Sequence, residues 1–383
     1  MAASDATLRL SGTSVRLSAL IRRLNHCSFH ELATAVGGLL TESENQPATF
    51  RLEMLATLAA MHADGARVPS AANLREWLND ALLRDDIGQL EDPVEDVFVS
   101  NVPSPEGNRR LFDGLWGDND TGVRALLQAV LRFSDREWAA DALVCCLALL
   151  KLSDVLAQRS GLERYALSAG QPKQKLRIVS KGLEEAKARV TFSVSDLHGL
   201  AIPAPLLRPF VLLDEHRAQM GGETLGNTTF ERRPLIWNGK AIVVALPTAI
   251  GAAIRRYIIE CAREAGDLPE VEDLVANLHL AELAGPGLAG LRLKGIRPPQ
   301  PMIDRCRDFV AEFDDGGVIH VVQVHEDLSD ALDQGLRSLQ RLPSELTAAL
   351  IATSTELAGK AGYRRGLTVV VHAGIGRGFA TML

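Results

Sequence analysis

Leu235-Ile-Trp-Asn-Gly-Lys-Ala-Ile-Val-Val-Ala-Leu246 carries the clearest structural signal in the chain. Two apolar runs, Leu235 to Trp237 and Lys240 to Leu246, flank Asn238-Gly239. That dipeptide favours a type I′ turn, because both residues tolerate positive φ. The reading is a β-hairpin over 235–246. Pro247 then sits where a helix begins, since its fixed φ and missing N–H suit a first turn. Ile250, Ile254, Tyr257, Ile258 and Cys261 follow at helical spacing, and Gly266 is the stop. A hairpin feeding an amphipathic helix makes the middle of the chain α+β.

Outward from the hairpin, Arg189 to Val194 and Phe210 to Leu213 read as further strands and 270–284 as a helix. Towards the N-terminus the pattern turns helical. Ser28-Phe-His-Glu31 has the spacing of a capping box, followed by Leu32, Val36, Leu39 and Leu40 on one helix face. Leu52, Leu55, Leu58 and Ala59 mark a further helix closed near Gly65, and Ser70 caps the next. Val97 to Val102 and Asn108 to Phe112 read as an inserted hairpin around Pro103-Ser-Pro-Glu-Gly107. Gly114 to Asp120 reads as a polar loop holding Trp116. Ser134-Asp-Arg-Glu137 is a second capping-box spacing, opening a helix to about Gln158 that is apolar on nearly every face from Trp138 to Leu150.

Towards the C-terminus, Gly285 to Gly295 and Pro298-Pro-Gln-Pro301 read as a loop and a boundary. Asp308 to Phe313 and Val318 to Val324 read as strands around Asp314-Asp-Gly-Gly317, then two helices near 329–341 and 345–358, then a strand from Leu367 to Val371. The fold class expected is mixed α+β. Its parts are a helical region over 1–167 with a hairpin at about 97–112, an α+β region over 176–297, and a small α/β region over 302–383. The stretch Ser168 to Lys175 is the linker between the first two. The last strand enters a glycine turn five residues before the end of the sequence, which suggests a piece of a longer protein or one completed by a partner.

Composition narrows the function classes. The 46% hydrophobic content supplies core material, and the net charge of −7 lacks the basic excess of a typical nucleic-acid binder. The cysteines, Cys27, Cys145, Cys146, Cys261 and Cys306, form no C-x-x-C and read as reduced thiols of a cytoplasmic protein. The longest apolar run, Ala142 to Leu150, is too short to span a bilayer. There is no G-x-x-x-x-G-K-[ST], G-x-S-x-G or H-E-x-x-H.

Four groups of residues could carry chemistry. Asp308 on one strand, with Gln323 and His325 on one face of the next, resembles the pattern of restriction-type nucleases, where an acid, a second acid or Gln, and a Lys hold Mg²⁺ and activate water. Gln334 falls on the following helix, where such nucleases often carry Gln. Gln and His stand where an acid and Lys are expected, so a plain hairpin with polar solvent-facing residues is the alternative. Gly374, Gly376 and Gly378 after a strand suggest a nucleotide-phosphate loop, but the third glycine is at the wrong offset. His26, Cys27 and His30 are close in sequence, yet Ser28 as a helix cap separates them and no zinc site is expected. Glu231-Arg-Arg233 and Arg255-Arg256 offer basic pairs for an anion, and such pairs more often form solvated faces.

Glu95 to Val102 with Gly107 to Trp116, and Phe230 to Leu235 with Ala241 to Ala249 and Ile254 to Tyr257, resemble segments of large bacterial proteins, some carrying a SEC-C-type zinc-binding tail. The resemblance spans about residues 90–260. It implies a bacterial, cytoplasmic protein and a longer natural chain. It brings no activity and no site residue, and this sequence has no Cys-rich tail. The function expected is a non-enzymatic scaffold or recognition module working with a protein partner or by self-association, with no cofactor and no membrane. The alternatives are a metal-dependent or degenerate restriction-type nuclease, with Mg²⁺ as its cofactor, and a nucleotide or small-molecule sensor.

Overall fold

Helices dominate the first part of the chain because apolar residues recur there at three and four positions. The computed structural model describes residues 14–324, apart from 82, 85–96, 113, 115–119, 163–165, 168–173, 224–227, 285–292, 302–305 and 314–316, together with 365–372. Four helices come first: α1 (Ser14–Leu24), α2 (Phe29–Leu39), α3 (Thr49–His62) and α4 (Ala71–Leu78). Strands β1 (Val97–Ser104) and β2 (Gly107–Phe112) form the inserted hairpin, and helices α5 (Asp120–Arg132) and α6 (Glu137–Arg159) follow it. A short strand, β3 (Ala166–Leu167), adds to the free side of β1.

The middle region contains α7 (Ser180–Arg189), β4 (Thr191–Ser193), α8 (Val194–Gly199), α9 (Ala204–Leu207), β5 (Val211–Leu212), α10 (Asp214–Arg217) and α11 (Thr229–Arg232). The hairpin β6 (Leu235–Trp237) and β7 (Ala241–Val244) leads to α12 (Ile250–Ala265) and α13 (Leu268–Ala284). These strands make a sheet in the order β4-β7-β6-β5, with β5 and β6 parallel. The last strands are β8 (Leu293–Pro301), β9 (Cys306–Phe313), β10 (Gly317–Val324) and β11 (Arg365–His372). The architecture is the mixed α+β expected.

One hydrophobic core runs from Leu20 through the helices and the middle sheet to Val275. The Gly37-Gly38 pair of α2 is one of its tight points. A Cβ on Gly37 would lie 2.6 Å from the Val244 carbonyl oxygen, and one on Gly38 would lie 2.5 Å from the Ala186 carbonyl carbon. Helix, strand and α7 thus meet backbone to backbone. Helix α3 is buried on every face from Thr49 to Ala60, including Arg51 and Glu53. Arg51 donates to the Leu78 carbonyl at 3.0 Å and to the Gln174 carbonyl at 2.9 Å, tying α3 to the end of α4 and to the chain entering α7. Gly114 lies where a Cβ would fall 2.4 Å from Glu53 Oε1 and 2.5 Å from Thr248 Cβ, so the chain after β2 is pressed against α3.

Several local expectations are corrected. The hairpin turn is shifted by one residue: Trp237 pairs with Ile242, and the Asn238 N–H donates to the Ala241 carbonyl at 3.2 Å. The central residues are therefore Gly239 and Lys240. Gly239 has φ +90°, and Asn238 does not have positive φ, so the turn follows the type II′ pattern with glycine first, not type I′. The Asn238 carboxamide oxygen explains the shift, because it accepts the N–H groups of Lys240 and Ala241 at 3.1 and 2.9 Å. Ser28 does cap α2 through the Glu31 N–H, but the Glu31 carboxylate reaches Lys187 at 2.7 Å instead of closing the box. Helix α6 starts at Glu137 with Arg136 as its N-cap, and Ser134 plays no capping part. Arg255 and Arg256 are not on a solvated face: they are 1% and 4% exposed. The proline-rich stretch read as a loop is strand β8. It is an edge strand, where prolines are tolerated, and its register slips between Arg297 and Gln300 at Pro298 and Pro299.

Strand β2 is fastened to α6 by Asp154. Its carboxylate accepts the Arg110 backbone N–H at 3.0 Å and Arg110 Nε at 2.7 Å, with Arg109 at 3.5 Å. Burial works to raise the Asp154 carboxyl, but the Arg110 hydrogen bonds outweigh it and hold the group below the usual carboxylate range. This stabilisation is complete above the unfolded value near ~3.9 and is lost as pH falls through the folded value. The melting temperature of Asp154→Asn is expected to fall less between pH 5 and about pH 3 than that of the parent. Parallel curves would remove Asp154 from the acid response.

Candidate functional site

The C-terminal sheet collects most of the chemistry-bearing residues singled out above. Its order is β11-β10-β9-β8. Strands β8, β9 and β10 form an antiparallel meander, and β11 joins β10 in parallel. The antiparallel register brings the start of β9 to the end of β10, where Asp308 pairs with Val322 and Arg307 with Gln323. On the other side of β9, Gln300 of β8 pairs with Asp308. On the other side of β10, Val371 pairs with Gln323 and His372 with Val324.

Asp308, Gln323 and the exits of β10 and β11 therefore share one end of the sheet. Strand β10 stops at Val324, one residue before His325, and β11 stops at His372, two residues before Gly374. Open sheets with parallel strands bind ligands beyond the carboxyl ends of those strands. His325, Gln334 and the glycines Gly374, Gly376 and Gly378 themselves lie outside the described residues, as do the two helices expected near 329–341 and 345–358.

The register does not bring Asp308 and Gln323 to one face. They occupy successive rungs, and successive positions along a strand belong to opposite faces. The face that holds Asp308 also holds Gln300, Cys306 and His372 by register. Gln300 and His372 were missed in the sequence because their strands, one read as a loop, had no assigned partners. Hard divalent cations prefer several carboxylates, and by register this face carries one acidic residue, Asp308. The sequence from Glu282 to Asp308 carries Arg292, Lys294, Arg297, Arg305 and Arg307 against Glu282, Asp304 and Asp308. By register Arg307 shares the end of the sheet with Asp308 and Gln323, Arg297 lies beside Val310 two positions along β9, and Lys294 lies at the far end of β8, next to Leu293, which pairs with Phe313.

Two other places have the composition of a site and a structural use. A concavity of about 550 Å³ opens between the start of α2, the end of α3, and α10. Its cation, Arg217, stacks 4.1 Å over Phe29 and donates to the Ala60 and Ala63 carbonyls at 3.1 and 2.8 Å. Arg217 thereby closes the C-terminus of α3. Between α6 and α12, the Tyr257 phenol lies beside Cys145 and Cys261. Burial pushes the Tyr257 phenol and the Cys145 and Cys146 thiols up, and Cys261 up to about 11. Thiols held neutral in this way are poor nucleophiles.

Among the described residues no group of three or more His, Cys, Asp and Glu could hold a metal ion, and no helix is long and apolar enough to cross a membrane. No curated protein and no solved structure matches the chain. A family model for anti-phage proteins matches residues 9–383, without showing a SEC-C-type or other zinc-binding tail. On that match over nearly its whole length, the chain belongs to the Upx-like anti-phage protein family.

Proposed function

We propose that this chain serves defence against phage as a recognition module, and that the end of its C-terminal sheet engages nucleic acid as a degenerate restriction-type nuclease would. The observation that carries the reading is the convergence of Asp308, Gln323 and the exits towards His325 and Gly374 on one end of one sheet. Arg307, opposite Gln323, and Arg297, beside Val310, would supply the phosphate contacts that the whole-chain charge does not. Cleavage is not expected, because the register sets Gln323, the residue read as standing in for a second acid, on the face opposite Asp308.

A second reading, metal-dependent cleavage, is favoured by the place of Asp308 on an inner strand beside Gln300. One experiment separates the two. The purified chain is mixed with labelled duplex and single-stranded DNA with and without Mg²⁺ or Mn²⁺, beside Asp308→Asn. The expected result is salt-sensitive binding without cleavage, retained by Asp308→Asn. Metal-dependent cleavage abolished by Asp308→Asn would establish the second reading, and absence of binding would overturn both.

A further inference from the structure

Helix α13 joins two parts of the molecule. It packs against α5 and α12 of the helical body and against β8 and β9 of the C-terminal sheet. Its start is fixed in an unusual way. Helix α12 ends at Gly266, whose φ of +81° turns the chain, and the Asp267 N–H returns to the Ala262 carbonyl at 2.8 Å. Asp267 then stands at the N-cap position of α13, its carbonyl accepting the Val271 N–H at 3.1 Å. An aspartate there ordinarily caps its own helix. Here its two carboxylate oxygens are taken by α6: one pairs with Arg136 Nη1, and the other accepts the Trp138 indole N–H at 2.6 Å.

Arg136 is the N-cap residue of α6, where its guanidinium, a donor only, is free to reach away from its own helix. Its second nitrogen reaches Glu270, in the first turn of α13, at 2.8 Å, and its guanidinium lies 4.8 Å from the centre of the Phe133 ring. The Arg136 and Trp138 hydrogen bonds hold the Asp267 carboxyl below the usual carboxylate range, so it is ionised and paired at neutral pH.

We infer that Arg136, Trp138, Asp267 and Glu270 form a latch across the Gly266 turn through which the helical body sets the position of the C-terminal sheet. The Asp267 side chain, which could have capped its own helix, instead joins Arg136 and Trp138 in bridging α13 to the start of α6. Arg136 and Glu270 are 35% and 63% exposed at the side chain, so the outer half of the latch is screened by salt and open to a competing anion. Asp267, at 17%, is the sheltered half. Opening the latch frees the start of α13 to pivot at Gly266, and β8 and β9 move with the helix that packs on them. The bearing of this motion on nucleic-acid binding rests on the proposed function, whereas the latch itself does not.

Hydrogen–deuterium exchange of the full chain without ligand tests it on Arg136→Gln, Asp267→Asn, Trp138→Phe and the Arg136→Gln/Asp267→Asn double variant. Each of the first two is expected to exchange about tenfold faster in α13 and in β8–β9, with α2 and α3 unchanged. Trp138→Phe keeps the ring, loses the N–H donor and gives a smaller change in the same segments. The double variant loses less than the sum of the two singles, because both substitutions remove the shared Arg136–Asp267 pair. Unchanged exchange in α13 and β8–β9, losses spread equally over the chain, or additive losses in the double variant would each overturn the latch. Because no nucleic acid is present, these outcomes are independent of whether the sheet binds it.

Discussion

Replacing Gly38 with alanine is expected to destabilise the protein by about 2 kcal/mol or more, although alanine is the better helix former by ~1 kcal/mol. The added methyl would sit 2.5 Å from the Ala186 carbonyl carbon and 2.6 Å from its oxygen. Both are backbone atoms of α7, which is itself packed against α2 and cannot give way as a flexible side chain would. Relief requires α2 and α7 to separate, which also loosens the neighbouring contact of Gly37 with Val244 and Ala245. Gly182→Ala is the control. Its Cβ would meet only the Val179 Cγ2 atom at 3.4 Å, so the helix propensity gain is expected to survive. Urea unfolding midpoints of the two variants should move in opposite directions. A Gly38→Ala variant as stable as the parent would mean that α2 and α7 are not in backbone contact.

Arg51→Met is expected to cost about 3 kcal/mol or more. Arg51 is fully buried, and its guanidinium serves carbonyls on two separate segments, Leu78 and Gln174. Methionine fills much of the volume but leaves both acceptors without this donor, the Leu78 carbonyl in a buried site and the Gln174 carbonyl in a partly buried one. Each orphaned buried carbonyl costs about 1–3 kcal/mol, offset in part because the charge no longer has to be desolvated. Arg51→Lys should recover little, since a compact ammonium cannot span two carbonyls as the guanidinium fork does. The same unfolding measurement checks both variants. A loss below ~1 kcal/mol in Arg51→Met would show that the two carbonyls find other donors.

The parts of the fold legible in the sequence are those decided by neighbours along the chain. The 97–112 and 235–246 hairpins, the Ser70 cap and the α12 stop at Gly266 all rest on residues within a few positions of one another. What was missed depends on partners far away. The Asn238 side chain moved the turn by one residue, and Glu31 left its capping box for Lys187, 156 residues further on. Arg255 and Arg256 looked like surface cations because charge is usually solvated, yet they face into the core beside α6 and α11. The prolines of β8 obscured a strand that lies at a sheet edge, where missing N–H groups do no harm.

The candidate site was legible to the same degree. Alternation along β10 assigns Gln323 to one face, but it says nothing about which rung of β9 meets it. A pairing with Arg307 rather than Asp308 separates the acid from the carboxamide and sets Gln300 and His372 on the acid's face instead. Strand order, which no local pattern contains, is what unites the Asp308 group with the exit towards Gly374.

The most direct test of the central claim is the salt dependence of DNA binding by the parent chain and by an Arg297→Glu/Arg307→Glu variant, followed by fluorescence anisotropy. The account predicts that the parent's affinity falls steeply as salt rises. The variant should bind about tenfold or more weakly, with a shallower slope, because two of the proposed phosphate contacts are removed. Equal affinity and equal slope in the two proteins, or no binding by the parent at low salt, would contradict it.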